Sequence, residues 1–147
     1  LMGDPAASEE RLREAARIAQ IGDFIDSLDE GYDHELAQAG KNLSGGQKQR
    51  LSIARAVLKD APIYLFDDSF SALDFLTEAR LREELNTRMA GRTRIVITQR
   101  VTSAMDSDRI YVMDRGRIVD SGTHQQLLDG CVIYREIYAS QTGGERA

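Results

Sequence analysis

The hydrophobic period of the chain changes at Pro62, and this change restricts the fold more than any other feature. Before it, helix-start signals at Ser8 and Ser44 each precede a stretch with helical spacing of apolar residues, the second of which extends to Asp60. After it, residues 63–66 read IYLF, a continuous apolar run that ends in two acids and is typical of a strand buried on both faces. Helices followed by a buried strand predict an α/β fold with a helical region in front.

The rest of the chain alternates between helical and extended patterns. We expect an amphipathic helix over 74–89 with Leu76, Leu81 and Leu85 inside, and then a second buried strand at 94–98. Residues 108–122 read as two strands around a tight Asp-Arg-Gly turn, which indicates a hairpin. The remaining predicted elements are a short helix at 23–29, a loop at 31–43, a helix from Thr123 with Gln126 in the capping-box position, and a C-terminal helix at 131–140.

Composition limits the classes of function. At 147 residues, with 41% hydrophobic and 29% charged residues, the chain has the size and balance of one globular domain. Its net charge of −5, the absence of tryptophan and the lack of aromatic residues among basic ones argue against a nucleic-acid-binding surface. The single cysteine, Cys131, can form neither an internal disulfide nor a zinc site, which favours a reducing, cytosolic compartment.

Residues 42–50, NLSGGQKQR, carry the strongest chemical signal. Ser44 and Gln47 have the spacing of a capping box, and this local role alone would explain both residues. It does not explain Gly45 and Gly46, because each glycine destabilises a helix by about 1 kcal/mol relative to alanine. Two glycines in the first turn of a helix are expected where another group must approach the backbone closely. A helix N-terminus with free backbone N–H groups is suited to binding a phosphate. We therefore expect an anion site here, with capping alone as the alternative.

At these residues the chain resembles the ATP-binding cassette (ABC) proteins, whose signature motif is LSGGQ. IYLFDD (63–68) is similar to the Walker B strand of that family, SALD (71–74) to its D-loop, and IVITQR (95–100) to its switch segment. DRIYVMDRGRIVDSGTHQQLL (108–128) resembles the strands and helix that follow, and DFIDSLDEGYDHELAQAG (23–40) resembles the helical subdomain and the loop before the signature in ABC exporters. Together these segments cover nearly all of the chain in the order that the family has.

The resemblance implies a partial P-loop (RecA-like) ABC ATPase domain of α/β class, with a helical subdomain followed by mostly parallel strands and a C-terminal hairpin and helices. We expect residues 1–60 to form the helical subdomain with the signature helix, 61–140 the C-terminal part of the RecA-like core, and 141–147 a frayed tail. No phosphate loop of the form G-x-x-x-x-G-K-[ST] occurs in the sequence. We therefore expect the chain to be the C-terminal half to two-thirds of a nucleotide-binding domain.

The resemblance also assigns roles to the acids. It implies that Asp67 binds Mg²⁺ through water, and that Asp68 stands where the family carries a glutamate that polarises the attacking water. Asp68 is one methylene shorter, and because a misplacement on the order of 1 Å can reduce a rate 10²-fold, we expect a poor base. An aspartate that substitutes adequately is the alternative. Asp74 would lie in the D-loop at a dimer interface, or cap the helix that begins at Phe75, or do both.

A second departure from the family pattern is Gln99, which occupies the position of a histidine that contacts the γ-phosphate. Glutamine can hydrogen-bond but can neither carry that charge nor shuttle a proton. In the family, two domains stack head to tail so that each signature completes the other's ATP site. The chain thus resembles the degenerate-site subunit of a heterodimeric multidrug- or lipid-type exporter, in which residues 44–47 serve the partner's ATP while Asp68 and Gln99 slow its own site.

The implied cofactors are ATP and Mg²⁺. The implied partners are a second ABC nucleotide-binding domain and the transmembrane domain of the same transporter, at the cytoplasmic face of the cell membrane, and no nucleic acid is expected. We expect the isolated chain to lack ATPase activity and to be prone to dimerisation or strand swapping, because the absent phosphate-loop strand would leave sheet edges exposed. Two alternatives remain open: a soluble ABC ATPase of the DNA-repair or chromosome-maintenance class, and an interaction module that is inert toward nucleotide.

Overall fold

The structure, a computed structural model, describes residues 3–143, which form helices and strands in the alternating order that the sequence predicts. In chain order the elements are α1 (Glu9–Ile18), α2 (Gly22–Asp26), α3 (Gly45–Leu58), β1 (Ile63–Asp67), α4 (Phe75–Arg88), β2 (Thr93–Ile97), α5 (Val101–Ala104), β3 (Ile110–Asp114), β4 (Arg117–Gly122), α6 (His124–Gly130) and α7 (Val132–Thr142). β1 pairs with β2 in one two-stranded sheet, and β3 pairs with β4 in another. The predicted α/β class is confirmed.

Side-chain caps set the first residue of several helices. Ser8 accepts a hydrogen bond from the backbone N–H of Arg11 at the start of α1. Capping boxes begin α3 and α6, with Ser44 and Thr123 as the N-cap residues. Each cap satisfies a backbone donor that the helix itself leaves unpaired, so these starts follow from local sequence. The predicted helix starts are confirmed.

The hairpin also follows from local sequence. β3 and β4 are antiparallel, and the residues that join them, Arg115 and Gly116, have φ angles of +47° and +77°. Two consecutive left-handed residues match the right-handed twist of a two-stranded ribbon, and glycine adopts this conformation without steric cost. The ladder carries an irregularity between Val112 and Met113. The predicted tight turn is confirmed.

The chain divides into two compact units, the first extending to Ile95 and the second beginning at Val96. In the first unit, α1 packs against α2, α3 and α4. In the second unit, the hairpin packs against α6, and α7 packs against both α5 and α6. The core of the second unit consists of one buried cluster: Val101, Ile110, Val112, Leu127, Cys131 and Tyr134.

The burial of the first two strands differs from the prediction. Tyr64 and Phe66 of β1 are buried, whereas Ile63 and Leu65 are 59% and 63% exposed. On β2, Ile95 is also half exposed. Successive side chains of a strand point to opposite faces, so one face of β1 packs inward while the other is open to solvent. The expectation that both strands are buried on both faces was therefore wrong for the described residues.

Three further expectations needed correction. Leu76 was expected inside α4 but is 66% exposed, whereas Leu81 and Leu85 are buried. Leu76 lies five positions before Leu81, which turns it away from the buried stripe of a helix with about 3.6 residues per turn. The short second helix ends earlier than predicted, at Asp26, and single-turn 3₁₀ helices at Gly31–Asp33 and Gln38–Gly40 interrupt the predicted loop. The short helix α5 was not predicted.

The C-terminal helix continues to Thr142, two residues beyond its predicted end. The last four residues of the predicted frayed tail, 144–147, lie outside the described residues, as do residues 1 and 2. Among the described helices, none combines the length and apolarity needed to cross a membrane.

Candidate functional site

Residues 44–47, which resemble the signature motif and are called the signature turn below, lie at the start of α3. Ser44 Oγ accepts a hydrogen bond from the backbone N–H of Gln47 at 3.2 Å, and Gln47 Oε1 accepts one from the backbone N–H of Ser44 at 2.8 Å. The capping box that the spacing predicted is therefore confirmed. Both side chains are held at the helix N-terminus, where the backbone N–H groups and the helix dipole favour an anion.

The two glycines of this turn face the loop that follows β1. A Cβ atom on Gly46 would lie 3.0 Å from the carbonyl oxygen of Ala72, which is closer than real Cβ atoms usually come to backbone oxygen. A Cβ atom on Gly45 would lie 3.4 Å from the Ala72 side chain, an ordinary contact. The close backbone approach that the glycines predicted thus occurs within this chain at Gly46, because the loop from β1 to α4 packs against the signature helix.

Gln49 joins the same helix to the same loop through both ends of its side-chain amide. Its Nε2 donates to the carbonyl oxygen of Asp68 at 3.1 Å and to Ser71 Oγ at 3.0 Å, while its Oε1 accepts from the backbone N–H of Ala72 at 2.9 Å. We call these three bonds the Gln49 clamp. They fix the loop between β1 and α4 on the signature helix.

One pocket brings the signature and the D-loop segment together. It has a volume of about 370 Å³ and is lined by Ser44, Gly45, Gly46, Arg50, Ala72, Leu73, Asp74 and Thr77. Arg50 adds a positive charge to this lining, and its guanidinium donates to the carbonyl oxygen of Gly46 at 3.4 Å and to that of Gln20. Arg50 therefore supports the first turn of α3.

Asp74 caps α4 at the edge of this pocket. Its Oδ1 accepts from the backbone N–H of Thr77 at 3.0 Å. Hydrogen bonds from the Thr77 side chain and then from its backbone lower the pKa of the Asp74 carboxyl below its ordinary value. The predicted N-cap role is confirmed, whereas the interface role stays a prediction.

The paired acids lie at the end of β1, where Asp67 is its last residue and both side chains are exposed. Asp68 has a φ of +47°, in the left-handed region that aspartate tolerates better than most residues. Its carbonyl oxygen accepts from Ser71 Oγ at 3.0 Å and from the Ser71 backbone N–H at 3.3 Å, in addition to the Gln49 clamp. Among the described residues, Asp74 lines the pocket but Asp67 and Asp68 do not.

The described part of the chain holds no group of three or more His, Cys, Asp or Glu side chains arranged to bind a metal ion. A single carboxylate at a strand end remains able to hold a hydrated Mg²⁺, because this ion keeps several of its waters in proteins. The assignment of Mg²⁺ to Asp67 stays a prediction.

Gln99 lies in the second unit, between β2 and α5, and its side chain is exposed. Its carbonyl oxygen accepts from Gln141 Nε2 at 2.6 Å, and Gln141 Oε1 accepts from the backbone N–H of Val101 at 2.8 Å. The backbone of the switch segment is thus held by a side chain of α7. We call these two bonds the Gln141 clamp.

Sequence reasoning missed both clamps. Gln49 carried a signal, because it lies three and four residues after Gly46 and Gly45 and therefore on the same face of the helix. Gln141 carried none, since it is 42 residues from Gln99. Only the folded chain brings those two residues together.

Comparisons with known proteins identify the family of the chain. The family model described as "ABC transporter" matches residues 4–71. The chain is 47% identical over 143 residues to the ABC transporter ATP-binding protein YfiB of Bacillus subtilis, covering 97% of this chain and 25% of that protein. It is 46% identical over 140 residues to the ATP-dependent lipid A-core flippase of Alkalilimnicola ehrlichii, covering 95% of this chain and 23% of that protein.

Among solved structures, the chain is similar to a bacterial Atm1-family ABC exporter with ATP bound, with a TM-score of 0.91 and 42% identity. That match covers 95% of this chain and 25% of the exporter chain. The chain thus spans about a quarter of the length of the relatives it matches. Its fold and sequence place it in the ABC transporter family, as a mixed α/β part of an exporter-type ATP-binding domain.

Proposed function

We propose that this chain belongs to the ATP-hydrolysing domain of an ABC exporter and supplies residues 44–47 to an ATP molecule bound by a second such domain. The pocket shared by the signature turn and the D-loop segment carries this proposal, because it presents bare helix N-terminal backbone beside Arg50. The relatives named as a flippase and as an exporter support transport as the coupled process. The domain then works at the cytoplasmic face of the cell membrane, bound to the transmembrane domain of its transporter.

The residues present fit part of an ATP site. Gly45 and Gly46 leave the first turn of α3 without side chains, and Ser44 adds a hydroxyl at the same end, so a phosphate can approach the backbone N–H groups. Asp67, exposed at the end of β1, can hold a hydrated Mg²⁺, which neutralises charge on the transferred phosphate when bound. The sequence holds no phosphate loop, so each complete ATP site requires residues beyond these.

The chain's own site is proposed to hydrolyse ATP slowly. Asp68 holds its carboxylate one methylene nearer the backbone than glutamate would, and Gln99 lacks the charge and proton-shuttle capacity of histidine. Neither change impairs residues 44–47. A homodimer would then have two slow sites, whereas a heterodimer would keep one fast site, completed by the signature of this chain.

The decisive experiment uses the full transporter with its partner subunit. The double substitution Asp68→Glu with Gln99→His should raise ATP turnover at this subunit's own site, measured with the partner's site disabled. A matched control introduces Asp29→Glu, a substitution of the same kind in an exposed loop, and should leave turnover unchanged. Unchanged turnover in both single variants and in the double variant would refute the slow-site proposal.

The 147-residue chain by itself is proposed to be inactive and to self-associate. Ile63 and Leu65 form an exposed apolar pair on β1, which favours association of isolated chains. Sedimentation should therefore show dimers or larger species, and an ATPase assay should give background rates. Turnover comparable to that of a complete domain would show that the phosphate loop is dispensable.

A further inference from the structure

The strongest unassigned feature of the molecule is the Gln49 clamp. Gln49 lies one turn into α3 and is half-buried, and its amide bonds to three different residues of the loop after β1. The carbonyl end and the amino end of the amide both have partners on the same loop. A side chain that pairs with two acceptors and one donor at once specifies one geometry of helix and loop.

The clamped loop carries the residues on which the proposed chemistry depends. It begins at Asp68, which has a left-handed backbone conformation that residues other than glycine seldom adopt. It ends at Asp74, which lines the pocket beside the signature turn. Between them, Phe70 and Leu73 are buried and anchor the loop on the core. A strained residue held by several contacts keeps its conformation only while those contacts remain.

We propose that Gln49 is a positioning residue that makes the signature turn and the acid-bearing loop move as one body. Through it, closure of residues 44–47 on the partner's ATP carries Asp68 and Asp74 into their working positions. This inference rests on the proposed function, and it adds a link within one chain between the ATP site that the signature completes and the site that Asp68 serves.

The chemistry of the amide separates this role from simple packing. In Gln49→Glu the side chain keeps its shape, but it loses both Nε2 donors and brings a carboxylate oxygen toward the Asp68 carbonyl oxygen. In Gln49→Leu all three bonds are lost. Ser71→Ala removes one member of the clamp while leaving the Gln49 bond to the Ala72 backbone N–H in place.

The experiment measures ATP turnover at this subunit's own site as a function of ATP concentration, in the full transporter assembled with its partner and with the partner's site disabled. Gln49→Glu and Gln49→Leu should each lower kcat at least tenfold, with KM changed less than threefold, because the loop is displaced while the signature backbone remains. Hydrogen exchange at the Ala72 amide should rise in Gln49→Leu, which removes its acceptor, and should rise less in Gln49→Glu, whose carboxylate still offers an acceptor oxygen. Gln125→Leu and Gln125→Glu are the matched controls, because the Gln125 side chain is exposed on α6 and donates to Asp129.

A double-mutant cycle completes the test. The effects of Gln49→Leu and Ser71→Ala on kcat should be strongly non-additive, whereas those of Gln125→Leu and Ser71→Ala should add. A kcat within twofold of the unsubstituted transporter in the Gln49 variants, or additive effects with Ser71→Ala, would overturn the inference. Failure of both Gln49 variants to assemble while Ser71→Ala assembles would also overturn it, since the role would then be structural. The Asp68→Glu and Gln99→His substitutions test the proposed function separately, so the two failures are distinguishable.

Discussion

The backbone after β1 and the backbone after β2 are each held by the amide of one glutamine, but the two glutamines lie on different supports. The Gln49 clamp starts from the second turn of the long helix α3, which packs against α1. The Gln141 clamp starts from the last turn of α7, which ends at Thr142. In the first case the Asp68 carbonyl oxygen also accepts from Ser71, whereas the second clamp consists of two bonds.

This difference predicts unequal stability for the two segments. Helix ends fray because their last turns have fewer hydrogen bonds and contacts than the interior, so Gln141 has weaker support than Gln49. The acid-bearing loop is therefore expected to be the rigid segment and the segment containing Gln99 the one that opens more readily. Hydrogen exchange that is faster at Val101 than at Ala72 would agree with this order.

The largest effect on stability is expected from Gly46→Val, which acts on the loop that the Gln49 clamp holds. The new side chain would press on the Ala72 carbonyl oxygen, which lies 3.0 Å from the position of a Cβ atom, and would separate the loop from the helix. We expect a loss of about 2 kcal/mol in the free energy of unfolding, typical of overpacking.

Denaturant unfolding of the Gly46→Val variant and of the unsubstituted protein measures this loss. Gly130→Val is its matched control, because a Cβ atom at Gly130 would meet nothing within 4 Å. Equal losses of unfolding free energy in Gly46→Val and Gly130→Val would mean that the contact with Ala72 does not explain why residue 46 is a glycine.

An intermediate effect is expected from Gln141→Leu, which breaks the weaker clamp. The Gln99 carbonyl oxygen and the N–H of buried Val101 lose their partners, which should cost about 1–2 kcal/mol. Hydrogen exchange at Val101 should rise, while exchange at Ala72 in the other unit stays unchanged. The control is Gln125→Leu, the same substitution on α6, and equal exchange at Val101 in both variants would contradict the assignment.

The smallest effect is expected from Asp74→Asn, which keeps an N-cap but removes its titration. Because the pKa of Asp74 is lowered in the fold from its ordinary 3.8, its contribution is fully present above pH 3.8 and disappears as the pH falls through the lower folded value. The melting temperature of the unsubstituted protein should therefore fall more steeply between pH 4 and pH 2 than that of the variant. Parallel curves would show that the carboxylate adds nothing to the cap.

Interactions between near neighbours explain which features could be predicted from sequence. The capping boxes at Ser44 and Thr123 and the hairpin turn at Gly116 involve residues at most three positions apart, so their chemistry is visible in a short window. The order of motifs likewise identified the family before any fold was known. The open face of β1 and the exposure of Leu76 were not predictable in this way, because periodicity shows that a residue is apolar but not whether another element covers it.

The sequence by itself determined where the capped helices α1, α3 and α6 begin, where the hairpin turns, and which segments resemble the signature and carry the acids. The tertiary structure decided what those segments contact: that Gly46 faces the Ala72 carbonyl oxygen, that Gln49 joins the signature helix to the loop of Asp68, and that Gln141 holds the backbone of Gln99. These bonds join residues 19 to 42 positions apart. No local propensity encodes such pairs, because they form only when packing of the buried helices brings distant parts of the chain into register.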